Sequence, residues 1–264
     1  MPFVDSSGGR IHYRLDVSPD ASTGAPYVVL SNSLGTNLSM WDLQVAPLLR
    51  HFRVLRYDTR GHGLSSVTPG PYTNEQLTSD VVRLLDSLQI ERAHFCGLSM
   101  GGMAGMRLGV MAPERIEKLV LCSTGARIGS AESWKARIDT VLGHGMTAVT
   151  DTILGRWFTP AFVAGNSSVI EPIRRMLLEC SPEGYVACSA SVRDTDERES
   201  ISGIRARTLV ISGRHDPATP PVDGRFLADK IPGASYVELE GSHLSNVECA
   251  REFNEVLLDF LQSA

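Results

Sequence analysis

One pentapeptide constrains the fold of this chain more than any other segment. Gly97-Leu98-Ser99-Met100-Gly101 has the pattern G-x-S-x-G and lies between a strand-like run, 93–96, and a helix-like run, 102–112. A G-x-S-x-G in this setting forms a nucleophile elbow, a turn so tight that its serine adopts a strained backbone conformation. The glycines leave room where a Cβ would collide with a neighbouring strand or helix. The pattern therefore predicts that Ser99 is a nucleophile, with its hydroxyl above the edge of a sheet.

The composition of the chain excludes several classes of protein. Its 264 residues fit one large α/β domain or a core domain with an insertion, and 42% apolar and 21% charged residues are ordinary for a globular protein. A net charge of −5 without a basic stripe gives no reason to expect a nucleic-acid partner. The first residues lack the features of a signal peptide, and no apolar run reaches the length of a membrane span. We therefore expect a cytoplasmic protein that binds neither nucleic acid nor membrane.

The cysteines agree with that location. The five cysteines, at positions 96, 122, 180, 188 and 249, show no spacing that is typical of metal ligands. Cys96 and Cys122 lie in predicted buried strands. Reduced thiols that fill apolar space are therefore the favoured interpretation.

Strand-like runs alternate with helix-like runs along most of the chain. The run 11–15 alternates like an antiparallel edge strand, and the continuous apolar runs suit a parallel sheet covered on both faces. A capping box of Thr73 and Gln76 predicts a helix to about Leu88, and a last helix is predicted from Ser245 to about Leu261. The alternation implies a doubly wound α/β sheet with ligands at the carboxyl ends of its strands. The predicted strands are 11–15, 27–31, 54–57, 93–96, 118–122, 208–212 and 235–239.

The alternation stops between about residues 125 and 192, where no good strand-like run occurs. Helices are predicted at 132–142 and 146–158, a third begins with a capping box of Ser168 and Glu171, and a fourth begins at Ser181-Pro182. A helical insertion after a strand of an open sheet most simply covers the strand ends. We therefore predict an α/β core of residues 1–124 and 193–264 and a helical cap, or lid, of residues 125–192.

A nucleophilic serine needs a base and a group that orients the base, and the sequence offers both. His243 lies in the loop between the last strand and the last helix, and Asp216 follows the preceding strand. Both loops leave the carboxyl ends of predicted parallel strands, as Ser99 does. Ser99, Asp216 and His243 are therefore the predicted catalytic triad. His62 is the strongest rival as base, but we interpret its glycine-rich loop, 58–63, as structural.

An oxyanion hole needs two hydrogen-bond donors. The Met100 N–H follows from the elbow, and the second donor is expected from the loop 31–36, in which the Leu34 N–H is the best placed. Loss of one such donor typically costs about 3–4 kcal/mol of transition-state stabilisation. Leu34 and Met100 are therefore the predicted donors to the oxyanion.

Three segments give the chain a resemblance to a known family. Ser31-Asn32-Ser33-Leu34-Gly35-Thr36 followed by Met40-Trp41-Asp42, the loop Tyr57-Asp58-Thr59-Arg60-Gly61-His62-Gly63, and the elbow extended through Gly102-Met103 resemble the 3-oxoadipate enol-lactonases. These enzymes belong to the α/β-hydrolase superfamily, which the whole chain resembles and whose triad has the same order, serine, acid, histidine. The resemblance implies a mostly parallel, doubly wound, eight-stranded sheet with an inserted helical cap.

The resemblance also implies an activity. It is the hydrolysis of 3-oxoadipate enol-lactone, a small anionic lactone, to 3-oxoadipate in the degradation of aromatic compounds. Neither a metal nor an organic cofactor is implied, and association into a homo-oligomer is compatible with the resemblance.

An anionic substrate requires a cation in its pocket. Trp134 and Arg137 lie three residues apart on the first predicted cap helix and face the same way. The arginine could bind a carboxylate through two parallel hydrogen bonds, and the tryptophan could form a wall for the lactone ring. The alternative is a solvated arginine beside a core tryptophan. Lesser candidates for the cation are Lys135, Arg127 and Arg156.

Other activities share the same triad. A carboxylesterase, a hydrolase of carbon–carbon bonds in ring-cleavage products and a cofactor-free perhydrolase are the alternatives within the enzymes. A ligand receptor with slow or absent turnover is the alternative from another class, and the intact triad argues against it. Dehalogenases and epoxide hydrolases of this fold use an aspartate nucleophile, and Ser99 argues against both.

Overall fold

The computed structural model describes residues 2–19 and 24–263, which form one eight-stranded sheet and the helices that pack against it. The strands in chain order are β1 Phe3–Ser6, β2 Gly9–Asp16, β3 Tyr27–Ser31, β4 Arg53–Tyr57, β5 Ala93–Leu98, β6 Ile116–Cys122, β7 Arg207–Gly213 and β8 Ser235–Leu239. Their order across the sheet is β1-β2-β4-β3-β5-β6-β7-β8. β2 pairs antiparallel with β1 and β4, and every other neighbouring pair is parallel.

The predicted fold class is confirmed. All seven predicted strands are present, and β1 is an additional edge strand that the hydrophobic pattern does not reveal, because only Val4 of its four residues is buried. All six residues of the central strand β5 are buried, as expected for a parallel strand covered on both faces. The expectation that the strand 11–15 lies at the sheet edge is wrong, because β1 pairs with the outer side of β2. β2 is antiparallel as expected but alternates less regularly, since its buried residues are the adjacent Ile11 and His12.

Helices connect most of the strands. In chain order they are α1 Asp42–Leu48, α2 Asn74–Ser87, α3 Met100–Met111, α4 Ala131–His144, α5 Thr147–Trp157, α6 Pro160–Gly165, α7 Ser167–Glu179, α8 Pro182–Asp194, α9 Pro221–Lys230, α10 Ser245–Glu248 and α11 Ala250–Gln262. Side-chain caps begin several of them: Thr73 accepts from the Gln76 N–H at α2, and Ser181 accepts from the Gly184 N–H at α8. Both caps lie where the sequence predicts them.

Two predictions about helices are wrong in detail. The capping box of Ser168 and Glu171 does not form, because α7 already begins at Ser167 and has no side-chain cap. The predicted last helix is divided into α10 and α11, since Cys249 between them adopts non-helical dihedral angles of φ −114° and ψ 40°. The short helix α6, which Thr159 caps at the Phe162 N–H, was not predicted.

Helices α4 to α8 all lie between β6 and β7, in the segment where the sequence shows no strand. Their apolar side chains, among them Trp134, Ile153 and Leu177, belong to the same cluster of buried side chains as the strands of the sheet. The helical character of this segment is therefore as expected. The division into a core and a separate cap, 125–192, stays a prediction, because the buried cluster continues across it.

Two further observations concern membrane-spanning helices and the cysteines. Within residues 2–19 and 24–263, no helix has the length and apolar character that a membrane span requires. All five cysteines carry free thiols, and Cys96 and Cys122 are buried in β5 and β6 as predicted.

The buried imidazole of His94 makes the stability of the fold depend on pH. Burial in β5 and, to a smaller extent, the positive charge of Lys118 lower the pKa of His94 to about 4. The unfolded chain takes up a proton near pH 6.5, whereas the folded chain does so only near pH 4, so stability falls as the pH falls between these values. Burial lowers the pKa of His62 in the same way, to about 4.

We predict that His94→Met reduces this acid-induced loss. Between pH 7 and pH 4.5 the free energy of unfolding should fall by about 1–2 kcal/mol less in the variant than in the wild type. Urea unfolding at the two pH values measures the difference, and comparison within each protein removes any change in packing against Phe52. Equal losses in the two proteins would show that His94 does not titrate as its burial implies.

Candidate active site

Ser99 occupies the strained turn that the sequence predicts. Its dihedral angles are φ 56° and ψ −116°, between the end of β5 and the first residue of α3. Backbone hydrogen bonds hold the turn from both sides: the Ser99 N–H donates to the Cys122 carbonyl at 2.9 Å, and the Gly101 N–H donates to the Asn32 carbonyl at 3.0 Å. A conformation of this kind costs on the order of 1–3 kcal/mol and persists where the surroundings enforce it.

The glycines of the pentapeptide are required by close backbone contacts. A Cβ at Gly97 would lie 2.2 Å from the Gly101 carbonyl oxygen, and a Cβ at Gly101 would lie 2.3 Å from the Ser31 carbonyl oxygen. Both distances are far below van der Waals contact with backbone atoms that cannot move away. The helix can therefore begin directly beside β5 and β3 only because these two positions carry no side chain.

The two other predicted triad residues form a direct pair. His243 Nδ1 lies 2.7 Å from Asp216 Oδ2, and both side chains are buried. Asp216 Oδ1 also accepts the N–H groups of Ala218 and Thr219 at 2.8 and 3.0 Å. The carboxylate is therefore fixed, and it holds Nδ1 of the imidazole so that Nε2 is left for another partner.

The Thr219 hydroxyl completes the surroundings of this carboxylate. Thr219 Oγ1 donates to Asp216 Oδ2 at 2.6 Å and lies 3.3 Å from His243 Nδ1. Burial alone would raise the pKa of Asp216, but the charge of His243 and the hydrogen bonds from His243 and Thr219 lower it below its usual value. Asp216 therefore stays ionised beside the imidazole.

One cavity of about 430 Å³ brings these groups together with α4 and α5. Ser99, His243 and the loop residues Ser33 and Leu34 line it together with side chains of α4 and α5. Among the lining residues two are arginines and none is acidic. The charged side chains that line the cavity are therefore all cationic.

The cations predicted for the site fall into two groups. Arg137 and Arg156 line the cavity, and within the described chain neither lies within 4 Å of a carboxylate. Lys135 instead pairs with Asp139 at 2.6 Å, and the exposed Arg127 lies 3.7 Å from Asp196. Neither Lys135 nor Arg127 lines the cavity.

Arg137 is held in place by aromatic side chains. Its guanidinium lies 4.8 Å from the centre of the Trp134 ring, and the Trp134 Nε1 donates to the Ile128 carbonyl at 2.7 Å. Burial raises the pKa of the Tyr185 hydroxyl, and the nearby positive charge of Arg137 offsets part of the rise. Trp134 and Arg137 thus face the same way and line the cavity together, as their spacing predicts.

The predicted oxyanion donors lie beside Ser99. Met100 is the first residue of α3, and Leu34 lies in the loop after β3 and lines the cavity. In the described part of the chain, neither the Leu34 N–H nor the Met100 N–H donates to a protein acceptor. Both donors are therefore available, and the dipole of α3 adds a positive partial charge at the Met100 end.

The loop of the rival base His62 is structural, as interpreted from the sequence. His62 is 1% exposed and does not line the cavity. In the same loop, Asp58 accepts the Leu38 N–H at 2.8 Å, and Arg60 pairs with Asp80 at 2.6 Å. No cluster of three metal-ligating side chains occurs among residues 2–19 and 24–263.

The loop that carries His243 is bonded to the end of α5. Ser242 Oγ donates to the Arg156 carbonyl at 2.8 Å, and the Leu244 N–H donates to the Trp157 carbonyl at 3.1 Å. The residues on both sides of His243 therefore contact the helical segment that also lines the cavity.

The predictions from the sequence do not include two residues that support the positions of Asp216 and the His243 loop. Glu248 accepts the Ser242 N–H at 2.9 Å and the Thr159 N–H at 3.2 Å, and so bridges the His243 loop and α6. Its contacts join distant segments, and no local pattern indicates them. The other residue, Thr219, follows Asp216 by three positions. An aspartate often accepts a backbone N–H at such a short spacing, so the sequence could have indicated Thr219.

Comparisons with known proteins identify the family of this chain. A model of the alpha/beta hydrolase family matches residues 28–256. The chain belongs to the alpha/beta hydrolase family. This hydrolase is similar to 3-oxoadipate enol-lactonase 2 of Acinetobacter baylyi, with 43% identity over 88% of the chain and 87% of that protein.

A solved structure and a second relative extend the comparison. The crystal structure of the enol-lactonase from Burkholderia xenovorans has a TM-score of 0.97 and 48% identity, and the match covers 99% of this hydrolase and 100% of that chain. A protein of Pseudomonas savastanoi pv. phaseolicola, named as a candidate carbamate hydrolase RutD, is 30% identical over 90% of this chain and 95% of its own length.

We predict that Thr219→Val slows this hydrolase, because valine keeps the shape of threonine but cannot donate to Asp216. Hydrogen bonds to charged groups contribute about 1.5–3 kcal/mol, and the two N–H donors remain, so kcat/KM for a p-nitrophenyl ester should fall about tenfold. Thr219→Ser is the control and should stay near the wild-type rate. A valine variant as active as the serine variant would contradict a role for the hydroxyl.

Proposed function

We propose that this hydrolase opens 3-oxoadipate enol-lactone to 3-oxoadipate, with Ser99 as nucleophile. The observation that carries the proposal is the shared cavity: Ser99 and the His243–Asp216 pair meet two arginines there, and no acidic side chain lines it. A small lactone with a carboxylate arm fits such a lining by charge. The similarity to two proteins named as enol-lactonases, at 43% and 48% identity, supports the same substrate.

In the proposed acylation step, the Ser99 hydroxyl oxygen attacks the ring carbonyl of the lactone. His243 Nε2 accepts the hydroxyl proton, and Asp216 stabilises the resulting imidazolium. The Leu34 and Met100 N–H groups donate to the oxyanion of the tetrahedral intermediate. As the ring carbon–oxygen bond breaks, His243 returns the proton to the leaving enolate, which becomes a ketone.

In the proposed deacylation step, water replaces the serine as nucleophile. His243 takes a proton from the water, the hydroxide attacks the acyl carbonyl, and the proton returns to Ser99 as the ester bond breaks. The product leaves as a dicarboxylate. This chemistry uses only side chains and N–H groups of the chain itself.

We assign the substrate carboxylate to Arg137, with Trp134 as a wall for the lactone ring. The guanidinium lies over the indole, 4.8 Å from the ring centre, and this contact orients its planar donors. A preoriented guanidinium loses little conformational entropy when it binds a carboxylate with two hydrogen bonds. Arg156, which is exposed at the same cavity, is the second cation within reach.

A carbamate is the second candidate substrate, because the RutD relative at 30% identity is named for such an activity. The proposed triad could attack a carbamate carbonyl as it attacks a lactone. Initial rates on the enol-lactone, a simple carbamate and a p-nitrophenyl ester distinguish the candidates. A kcat/KM for the carbamate above that for the lactone would overturn the lactone assignment and leave the role of Ser99 intact.

We predict that Ser99→Ala reduces turnover by roughly 10⁴-fold or more and leaves the fold intact, because the other hydroxyls that line the cavity, such as that of Ser33, do not occupy the elbow at the start of α3. Ser123→Ala is a matched control, since Ser123 is buried, has a positive φ of 40°, and does not line the cavity. The control should keep nearly full activity. Retention of a tenth of the wild-type rate by Ser99→Ala would refute the nucleophile assignment.

We predict that Arg137→Ala impairs hydrolysis of the anionic lactone far more than that of a neutral lactone of equal size. Loss of a charge-assisted bidentate contact should cost on the order of 2–4 kcal/mol, mainly as a higher KM if the contact acts equally in ground and transition states. Arg137→Lys should recover only part of the loss, because an ammonium lacks the planar fork.

The matched control is Lys135→Ala, on the same helix, which removes a cation that pairs with Asp139 outside the cavity. It should leave both substrates unaffected. Equal losses on both lactones in Arg137→Ala would mean that Arg137 supports the packing of Trp134 instead. No loss on either lactone would assign the carboxylate to Arg156.

A further inference from the structure

The buried histidine of the loop after β4 makes a hydrogen bond that the proposed chemistry does not use directly. His62 is 1% exposed and does not line the cavity, so it cannot act on a substrate. Its Nε2 instead accepts the Gly35 N–H at 2.8 Å. Gly35 directly follows Leu34, the second proposed oxyanion donor.

This hydrogen bond fixes the peptide that follows Leu34. Gly35 has a φ of 83°, and the turn around it is closed by the Thr36 N–H and the Thr36 hydroxyl, which donate to the Ser33 carbonyl at 3.2 and 2.7 Å. The direction of the Leu34 N–H depends on the dihedral angles of this short turn. Among the described residues, His62 is the side chain that accepts the Gly35 N–H, and it does not line the cavity.

The surroundings of the ring allow it to act only as an acceptor at Nε2. His62 Nδ1 lies 3.3 Å from the Arg60 carbonyl oxygen and 3.8 Å from Cys188 Sγ. A proton on Nδ1 can donate to Arg60, and the lone pair on Nε2 then faces Gly35. Burial lowers the pKa of His62 to about 4, so the ring stays neutral at neutral pH.

We propose that His62 is a positioning residue for the oxyanion hole, which holds the Leu34 N–H toward the cavity by accepting the Gly35 N–H. The proposal rests on the proposed roles of Ser99 and Leu34. Because an oxyanion forms only after the nucleophile attacks, the effect of His62 falls on the transition state and leaves substrate binding almost unchanged.

The test compares two substitutions of similar size. Gln at position 62 can place its side-chain oxygen near the position of Nε2, whereas Met has no acceptor of comparable strength. For p-nitrophenyl acetate, we expect His62→Met to lower kcat by about 10- to 100-fold with KM changed less than twofold. His62→Gln should stay within about threefold of the wild-type kcat.

A boronic acid provides an independent readout of the oxyanion hole. Phenylboronic acid forms a tetrahedral anionic adduct with a reactive serine, and the adduct needs the same N–H donors. Its inhibition constant should rise in His62→Met by a factor similar to the loss in kcat, and it should be nearly unchanged in His62→Gln. Equal kcat values for Met and Gln, or an unchanged inhibition constant in Met, would overturn the proposal.

A second variant keeps the test decisive if His62→Met does not fold. Asn is polar like Gln but too short to reach the Gly35 N–H, so His62→Asn should show the loss in kcat that His62→Gln does not. The test requires that the wild type hydrolyses the ester and that Ser99→Ala abolishes this activity. Failure of the enol-lactone as a substrate would then change the proposed function and leave the test of His62 unaffected.

Discussion

The close approach of helix α3 to strands β5 and β3 is the constraint on which the site depends. It exists because Gly97 and Gly101 carry no Cβ, and any side chain there would meet a backbone oxygen at 2.2–2.3 Å. The approach gives Ser99 a positive φ, in the left-handed region, and brings the Met100 N–H beside it. It also places the Ser99 turn next to the loop after β3, through the bond from Gly101 to Asn32. One contact between backbones thus arranges the proposed nucleophile, the helix dipole and the loop of the proposed oxyanion donor.

The two groups of elements that line the cavity have different proposed roles. The sheet edge supplies Ser99 and the His243–Asp216 pair, whose geometry depends on backbone turns and buried hydrogen bonds. Helices α4 and α5 supply the arginines and most of the apolar wall. The proposed reactive groups therefore lie at the sheet edge, whereas the cations proposed to bind the substrate lie on helices. A change of substrate within this arrangement requires changes only on the helical side.

The sequence predicts this architecture well where the signal is local. Seven of the eight strands, the elbow and the three loops at the sheet edge follow from hydrophobic runs and from glycine and serine at fixed positions. Local patterns do not predict the contacts that join distant segments. Glu248 bridges Ser242 and Thr159, and the bond from Gly35 to His62 connects two loops. Among four candidate cations, the helix pattern alone cannot separate Arg137 and Arg156 from Lys135 and Arg127. That choice depends on how α4 and α5 pack over the sheet.

The bonds between the His243 loop and the end of α5 have a consequence for how such an enzyme can diverge. Both acceptors on α5 are main-chain carbonyls, of Arg156 and Trp157, so the attachment does not depend on which side chains these positions carry. Mutations can therefore alter the charge and shape of this wall while the imidazole keeps its place. Substrate preference can therefore change during evolution through substitutions on α5 that have little effect on the position of His243. No such substitution has to preserve a side-chain partner for the His243 loop.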